Sequence, residues 1–355
     1  MSNIPTDQSI DAAWLTRRLR GAGHPTVNVE SFTRQQIGTG QIGKCVRFDL
    51  QVTGDDTAPR SVVGKFPSDD PLSRESGIQL KAYIKEASFY RTLQSRVFIN
   101  TPRCYYAEIE GDGPEFALLL EDLSPAQQGD QLSGCSEAVA RIAIQQLVGL
   151  QVPGWCDHSL LGYTWLESPE LLGGGAMRQL YRDKLPDFIS RYAQQLSADE
   201  LAIIEAVGCS DRVIGRPLGD RFSLVHGDYR LDNLLITQSS DEPTTVCVDW
   251  QSIILGDPLT DVGYFIGAGL LPELRRSVEE DIVRDYHCAL LNNGIENFGW
   301  AQCWEDYRRA TFAGFPVTVI ASMLVQQTER GDEMFVAMAK RHSRHAIDLH
   351  AGEFL

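Results

Sequence analysis

Short runs of β-branched and aromatic residues, separated by turn residues, characterise the first third of the chain. A glycine-rich turn separates the first two runs, and TGDDTAP separates the second run from the third. This pattern predicts β-strands at residues 32–37, 44–53, 61–66, 103–109 and 115–121. Between the third and fourth runs the pattern changes to a helical period, with Leu80, Ile84 and Ala87 on one face, which predicts a single helix over residues 75–95.

Beyond residue 125, apolar residues recur at intervals of three and four, the period of amphipathic helices. The predicted helices cover residues 136–150, 176–196, 198–208, 271–293 and 300–350. Gly-Phe-Pro at 314–316 is expected to break or kink the last of them, and one β-like island, residues 222–254, interrupts the helical part. The pattern therefore predicts an α+β fold with a β-rich N-lobe, residues 1–122, and a mainly helical C-lobe, residues 123–355. Clefts between such lobes are where ligands usually bind.

The composition excludes one class of function. The formal net charge is -16, whereas a nucleic-acid-binding protein needs a cationic face for phosphates. The eight cysteines are scattered without a Cys-x-x-Cys pair, which indicates reduced thiols rather than a disulfide framework. The N-terminus lacks the features of a signal peptide, and the longest apolar stretch, FPVTVIASMLV, is too short to span a bilayer. We therefore expect a cytoplasmic protein that binds neither nucleic acid nor membrane, and no obligate protein partner is predicted.

The stretch LVHGDYRLDNLLIT, residues 224–237, places charged residues inside an aliphatic frame, which is costly unless a partner neutralises them. Asn233 begins one strand-like run and Asp249 ends the next, so both are expected at the same end of a hairpin, near Asp228. Two carboxylates about 4 Å apart would repel by roughly 4 kcal/mol at an effective dielectric near 20, and a hard cation such as Mg²⁺ would remove that cost. The alternative is that these residues only cap and turn the chain, but their spacing favours a Mg²⁺ site with nucleotide phosphates.

Two features of the β-rich part are candidates for phosphate binding. IGTGQIGKCVRF places Gly38, Gly40 and Gly43 between two predicted strands, as in a loop that offers backbone N–H groups to phosphates; a tight hairpin turn explains the same glycines equally well. Lys65 lies in the apolar strand SVVGKFP, where a buried ammonium needs an anion such as a phosphate or a carboxylate from a helix. Glu86, in KEASFY, is a candidate partner, although it could instead be exposed and paired with a lysine of its own helix.

These motifs together resemble a known family. HGDYRLDN and VDWQ are similar to the catalytic loop and the metal-binding motif of the aminoglycoside phosphotransferase-like kinases, which are relatives of the protein kinases. IGTGQIG, KEASFYRTL, LLLEDL, QGDQLSG and GDPLTDVGYF resemble in particular the ecdysteroid-kinase-like (CHK kinase-like) branch. The resemblance implies a bilobal protein-kinase-like fold, a small catalytic hairpin in the C-lobe, and ATP and Mg²⁺ as cofactors.

The resemblance also implies roles for the residues of the catalytic stretch. Asp228 takes the position of the catalytic aspartate, and Arg230 lies near the transferred phosphoryl group. Asn233 and Asp249 take the positions of the Mg²⁺ ligands.

A second set of roles concerns the nucleotide. By the same resemblance, the three glycines cover the phosphates, and Lys65 holds them with Glu86 as its ion-pair partner. Residues 119–123 match the hinge, whose backbone at Glu121 and Leu123 would hold the adenine.

Three further residues are expected to act on the protein itself. His226 is interpreted as a structural brace of the loop rather than as an acid or base. Asp261, in GDPLTDVGYF, resembles a helix residue that braces the catalytic loop. Asp232 has no predicted role and is expected to be solvated or capping.

Two departures from the protein-kinase pattern narrow the choice of acceptor. The loop has His-Gly-Asp in place of His-Arg-Asp, and only eleven residues separate Asp249 from Asp261, too few for a segment that docks a peptide. We therefore predict a kinase that transfers the γ-phosphate of ATP to a hydroxyl group of a small molecule, with a catalytically inactive, nucleotide-binding pseudokinase as the alternative. The acceptor stays open: a bulky or sterol-like alcohol, an aminoglycoside and another hydroxylated metabolite are all compatible.

Overall fold

The chain folds into two compact units, each with its own core. The computed structural model describes residues 4–38, 42–168, 173–238, 242–325 and 327–355. The first unit, which we call the N-unit, comprises Met1–Arg96, Thr101–Pro125 and Val248–Ser252. The second, the C-unit, comprises Val97–Asn100, Ala126–Cys247 and Ile253–Leu355.

The N-unit is built on a five-stranded antiparallel sheet with the strand order β1-β2-β3-β5-β4. Its strands are β1 (Asn28–Ile37), β2 (Gly43–Thr53), β3 (Ser61–Pro67), β4 (Cys104–Ile109) and β5 (Phe116–Glu121). Alternate residues of β2, among them Val46, Phe48 and Leu50, are buried, as expected for a sheet with one face in a core. All five strands overlap the strands predicted from the sequence.

The helices of the N-unit differ from the prediction in two respects. They are α1 (Ala12–Gly21), α2 (Pro71–Gln79) and α3 (Ala82–Ser88). Helix α1 was not predicted; Asp11 caps it by accepting a hydrogen bond from the Trp14 N–H at 2.6 Å, and its Leu15 and Leu19 pack in the sheet core. The single helix predicted over residues 75–95 is wrong, because Lys81 adopts a left-handed backbone conformation (φ 55°) between α2 and α3.

The C-unit is mainly helical. Its helices are α4 (Glu137–Gln151), α5 (Gly174–Tyr192), α6 (Ala198–Cys209), α7 (Leu259–Gly269), α8 (Pro272–Asn292), α9 (Trp300–Ala310), the single turns α10 (Gly314–Pro316) and α11 (Ser322–Leu324), and α12 (Glu329–Asp348). The predicted helix over residues 300–350 does not break at Gly-Phe-Pro, 314–316, where the backbone stays helical. The helical run ends instead at Leu324, because Val325 is extended, and α12 begins at Glu329. The largest core of this unit includes Tyr181, Phe188 and Phe315.

Five short strands of the C-unit form two small sheets. They are β6 (Gln127–Gln128), β7 (Ser223–Val225), β8 (Leu234–Thr237), β9 (Thr244–Cys247) and β10 (Ile254–Gly256). Strands β8 and β9 form the predicted antiparallel hairpin, with β6 beside β8, and β7 pairs with β10. The stretch 224–237 therefore begins in β7 and ends with β8, and its residues 226–233 form the loop between these two strands. No helix in the described ranges is long and apolar enough to cross a membrane.

Candidate active site

Lys65 forms the centre of a buried charge cluster in the N-unit. It lies on β3 and pairs with Cys45 of β2 and Leu118 of β5 in the sheet register. Its Nζ donates to Glu86 Oε1 at 2.8 Å and to Asp249 Oδ1 at 2.6 Å. The ion pair with Glu86 is the one that the family resemblance implied. Burial alone would lower the pKa of Lys65, but the carboxylates of Asp249 and Glu86 outweigh it and hold that pKa well above its usual value.

Asp249 is held in place by the residues that follow it. Its backbone is left-handed (φ 68°), a conformation that aspartate adopts more readily than most residues. The ring of the next residue, Trp250, is fully buried and stacks on Phe89 with ring centroids 3.7 Å apart. Gln251 Nε2 donates to Asp249 Oδ2 at 2.9 Å. The short segment Val248–Ser252 thereby fixes the Asp249 carboxylate against Lys65 in the N-unit.

In the C-unit, Asp261 braces the loop between β7 and β8. Its carboxylate accepts the backbone N–H groups of His226 at 2.6 Å and Gly227 at 3.0 Å. Gly227 has a φ of 82°, where a side chain would be strained. Burial raises the pKa of the fully buried Asp261 to about 6, and the interactions with His226 and Gly227 oppose this shift. His226 is also buried and its Nδ1 accepts the Asp228 N–H at 3.3 Å, so both residues serve the scaffold, as the sequence predicted.

The carboxylate of Asp228 is hydrogen bonded through both oxygens. Oδ1 accepts from Tyr264 Oη at 2.9 Å and Oδ2 from Asn233 Nδ2 at 2.9 Å. Arg230 Nε lies 3.1 and 3.2 Å from the two oxygens. The side chain nevertheless keeps 22 % of its surface exposed. This is a fixed, accessible carboxylate, which is what a group that orients or accepts a proton requires.

Arg230 and Asp232 form an ion pair that corrects one expectation. Arg230 Nη1 lies 2.5 Å from Asp232 Oδ2, and the Gln131 N–H donates to Asp232 Oδ1 at 3.3 Å. Asp232 was expected to be solvated or capping; its side chain is only 11 % exposed, so the expectation of solvation is wrong. A half-buried arginine between two acids explains why Asp232 is present, because the guanidinium has donors for both carboxylates.

The structure gives less information on the other residues that were predicted to bind the nucleotide, namely the three glycines, Glu121 and Leu123. Gly38 has a φ of 70°, and a Cβ placed on it would meet no described atom within 4 Å; a Cβ on Gly43 would lie 3.0 Å from the Lys65 Cε. Gly40 lies outside the described residues. Glu121 ends β5 and its N–H donates to the Arg103 carbonyl at 2.8 Å, and Leu123 is partly exposed. The roles of these five residues stay predictions.

The predicted metal ligands have suitable donor chemistry. No group of three or more histidine, cysteine or acidic side chains that could hold a metal ion occurs in the described part of the chain. Asn233 spends its amide nitrogen on the Asp228 carbonyl and carboxylate, which leaves Oδ1 as its ligand atom, and Asp249 offers carboxylate oxygens. Oxygen donors suit Mg²⁺, which needs few protein ligands because it retains water and binds phosphate oxygens.

Sequence reasoning missed Tyr264, the hydroxyl donor to Asp228. A signal was available: Tyr264 lies three residues after Asp261 in GDPLTDVGYF, so the two share one face of α7. Because Asp261 on this face of α7 holds His226 and Gly227, a second residue on the same face is well placed to contact Asp228, the next residue of the loop.

The two units define a class of protein. One unit joins a lysine of its five-stranded sheet to a helix glutamate and to an aspartate of a short inserted segment. The other presents an aspartate–asparagine loop before a hairpin, and together these are the residue set of the kinase-like phosphotransferases. The sequence model of the phosphotransferase enzyme family matches residues 55–303, and the chain belongs to this family. The prediction of a kinase of the aminoglycoside phosphotransferase-like group is confirmed.

Solved structures show the same fold. A choline kinase from Cryptosporidium parvum Iowa II is 10% identical, with 96% of this chain and 95% of that chain covered and a TM-score of 0.54. The GDP complex of the wild-type aminoglycoside 2'-phosphotransferase-IIIa is 14% identical, with 94% and 99% covered and a TM-score of 0.53. A Plasmodium vivax ethanolamine kinase is 9% identical, with 88% and 82% covered and a TM-score of 0.51. The predicted α+β, protein-kinase-like fold class is confirmed.

Among curated proteins, mouse acyl-CoA dehydrogenase family member 10 is similar to part of the chain. It is 34% identical over 111 residues, which are 29% of this chain and 10% of that protein. The chain therefore spans about a tenth of the length of this relative.

Proposed function

We propose that the chain is an ATP- and Mg²⁺-dependent kinase that transfers the γ-phosphate to a hydroxyl group of a small molecule. The observation that carries the proposal is the Asp228 carboxylate, which is held through both oxygens yet remains partly exposed. Phosphoryl transfer asks the protein mainly to position the reactants and to stabilise charge. A fixed carboxylate beside an arginine supplies both.

The residues of this chain would divide the work as follows. Asp228 orients the acceptor hydroxyl and takes its proton as the bond from the hydroxyl oxygen to the γ-phosphorus forms. The bond from that phosphorus to the oxygen bridging the β-phosphate breaks at the same time, and ADP leaves with the bond's electron pair. Lys65, fixed by Glu86, holds nucleotide phosphates, and Arg230 stabilises the charge of the transferred phosphoryl group.

The remaining residues would bind the cofactors. Asn233 and Asp249 would hold Mg²⁺, which when bound neutralises phosphate charge. The backbone around Gly38, Gly40 and Gly43 would cover the phosphates, and that of Glu121 and Leu123 the adenine.

The proposed acceptor is a small molecule because only eleven residues separate Asp249 from Asp261, too few to dock a peptide. The ecdysteroid-kinase-like motifs favour a bulky or sterol-like alcohol. The names of the structural neighbours add aminoglycosides, choline and ethanolamine to the candidates. We further propose a cytoplasmic location, with no nucleic acid, membrane or obligate protein partner.

A pseudokinase that only binds nucleotide is the alternative. It is disfavoured because Lys65, Glu86, Asp228, Asn233 and Asp249 are all present, whereas a binding module has no use for Asp228. Under both functions Mg²⁺·ATP raises the melting temperature.

The decisive experiment is transfer of the γ-phosphate from Mg²⁺·ATP to a panel of sterols, aminoglycosides and amino alcohols. We expect the wild-type chain to phosphorylate at least one of them, and Asp228→Asn to abolish transfer while still binding nucleotide. Glu280→Gln, on an exposed pair of α8, serves as the control and should retain full activity. Transfer that survives in Asp228→Asn would contradict the proposed role of Asp228. The pseudokinase would be favoured if no compound of the panel is phosphorylated and Asp228→Asn binds ATP as tightly as the wild type does.

A further inference from the structure

Tyr264 contacts Asp228, the proposed catalytic residue, and has no role of its own in the proposed function. It lies on α7, one turn beyond Asp261, and is 2 % exposed. Its hydroxyl donates to Asp228 Oδ1 at 2.9 Å. The same carboxylate oxygen lies 3.1 Å from Arg230 Nε.

The ring of Tyr264 is fixed by its surroundings. It stacks on His342 of α12, with ring centroids 5.5 Å apart and planes inclined by 20°. Ala268 and Met338 complete a small buried cluster with it, and partly buried apolar residues, including Val317, pack around this cluster. A ring confined in this way presents its hydroxyl in one direction, because little rotamer freedom is left to it.

The phenol is also fixed chemically as a donor. Burial is the largest cause of a pKa that lies well above the usual value for tyrosine, and the nearby Asp228 carboxylate raises it further. Both effects favour the protonated phenol, which is the form that can donate to Asp228. A hydroxyl without charge can stabilise one orientation of Asp228 without competing for a phosphate or a cation.

The two other side chains that donate to the Asp228 carboxylate, Arg230 and Asn233, also interact with a second acceptor. Arg230 also pairs with Asp232, and the Asn233 amide also donates to the Asp228 carbonyl. The Tyr264 hydroxyl, by contrast, makes its described hydrogen bond to the carboxylate alone. This hydrogen bond restricts the rotation of the carboxylate about its own bond, and therefore the direction in which its oxygens point.

We propose that Tyr264 is a positioning residue of the phosphoryl transfer, which orients the Asp228 carboxylate toward the acceptor hydroxyl. The inference rests on the proposed function of Asp228. Misplacement of a catalytic group by a fraction of an ångström slows the chemical step far more than it weakens binding. The loss of the hydroxyl should therefore appear in kcat rather than in KM.

The test compares Tyr264→Phe with Tyr181→Phe. Tyr181 is an equally buried tyrosine of the C-unit whose hydroxyl donates to the Ile204 carbonyl at 3.0 Å, and it has no part in the proposed site. We expect both variants to lower the melting temperature by similar amounts. Only Tyr264→Phe should lower kcat, by about tenfold, with the KM values for ATP and acceptor changed by less than about twofold. An unchanged kcat in Tyr264→Phe, or an equal loss in Tyr181→Phe, overturns the proposal.

A second measurement separates this inference from the proposed function. Urea unfolding of Tyr264→Phe, Asp228→Ala and the double variant measures the coupling between the two side chains without any substrate. Coupling supports the contact on which the proposal depends, and its absence overturns the proposal. A wild-type chain that transfers no phosphate to any acceptor would contradict the proposed function, whatever the coupling.

Discussion

A single ammonium, that of Lys65, neutralises the carboxylates of Glu86 and Asp249 within the N-unit. Removing one partner of a buried ion pair leaves an uncompensated charge, which costs about 3–5 kcal/mol. We therefore expect Lys65→Met to lower the free energy of unfolding by about this amount in urea titrations. Adding Glu86→Gln to Lys65→Met should recover part of the loss, because one of the two uncompensated charges is then gone.

Arg141 on α4 provides the control. It also pairs with two carboxylates, those of Glu137 at 2.8 Å and Asp285 at 2.6 Å, but these side chains are 44 % and 58 % exposed. Water can solvate both carboxylates, so Arg141→Met should cost only about 1 kcal/mol. Equal losses in Lys65→Met and Arg141→Met would show that burial of the Lys65 cluster does not decide its contribution.

Asp232 gives a second prediction at this scale. Because it holds the Arg230 guanidinium at 2.5 Å, Asp232→Asn should release part of that constraint and lower kcat by about tenfold. The melting temperature should change little, since an asparagine oxygen can still accept from Arg230. Steady-state kinetics with the acceptor found in the panel measures the effect, and a kcat equal to that of the wild type would exclude a role for Asp232 in placing Arg230.

Residues of this loop also show where sequence reasoning stops. The Lys65–Glu86 pair was predictable, because a lysine in an apolar strand needs an anion and the family resemblance implied Glu86 as its partner. The role of Asp232 was not, because the loop from Arg230 to Leu234 has no regular period from which the direction of a side chain could be read. Tyr264 was missed although it lies on the same face of α7 as Asp261. The motif resemblance covered only residues with an assigned role.

At the scale of elements, local backbone conformation accounts for the two errors in the N-unit. Residues 75–95 have a continuous helical pattern, but a left-handed Lys81 separates α2 from α3, and a periodic pattern does not report a conformation adopted by one residue. Helix α1 was missed although Asp11 is a regular N-cap. Strands and hairpins were predicted better, since their turn residues are visible in the sequence.

Helix α12 stabilises the C-unit through Arg341. This 7 % exposed residue donates to the carbonyls of Gln131 at 2.7 Å, Ala268 at 2.8 Å and Leu132 at 2.6 Å. Arg341→Met should lower the free energy of unfolding by about 1–3 kcal/mol, because buried carbonyls lose their donors. The exposed neighbour is the control: Lys340→Met should stay within about 0.5 kcal/mol of the wild type. Urea titrations that show no difference between the two variants would contradict this account.

At the scale of the whole molecule, each of the two units is built from segments that are not contiguous in the sequence. Val97–Asn100 belongs to the C-unit although N-unit residues flank it, and Val248–Ser252 belongs to the N-unit between two parts of the C-unit. A single boundary drawn from local sequence patterns makes each unit one contiguous range, so it cannot assign either of these two segments to its unit. The second segment brings Asp249 to Lys65 over 184 positions of sequence, a contact that only the family motif, and not periodicity, made predictable.

Acid stability of the folded chain depends on a buried histidine on α12. His342 is fully buried, and neither ring nitrogen has a hydrogen-bond partner among the described residues. Burial, and then the charges of His345 and Arg341, lower its pKa to about 3. In the unfolded chain the same imidazole has a pKa of about 6.5. Between these two pKa values, the imidazole is neutral in the folded chain and protonated in the unfolded chain.

The sign of the pH effect follows from this difference. The contribution of His342 is complete above pH 6.5 and is lost as the pH falls through the window from about 6.5 to about 3, at about 1.4 kcal/mol per pH unit. His342→Leu removes the titrating group, so its free energy of unfolding should fall by about 2 kcal/mol less than that of the wild type between pH 6.5 and 5. Urea titrations at both pH values measure this, with His350→Asn, at an exposed left-handed position, as the control. Parallel acid losses in the wild type and His342→Leu would show that His342 is protonated within the folded chain, and that the core around Tyr264 admits a charge.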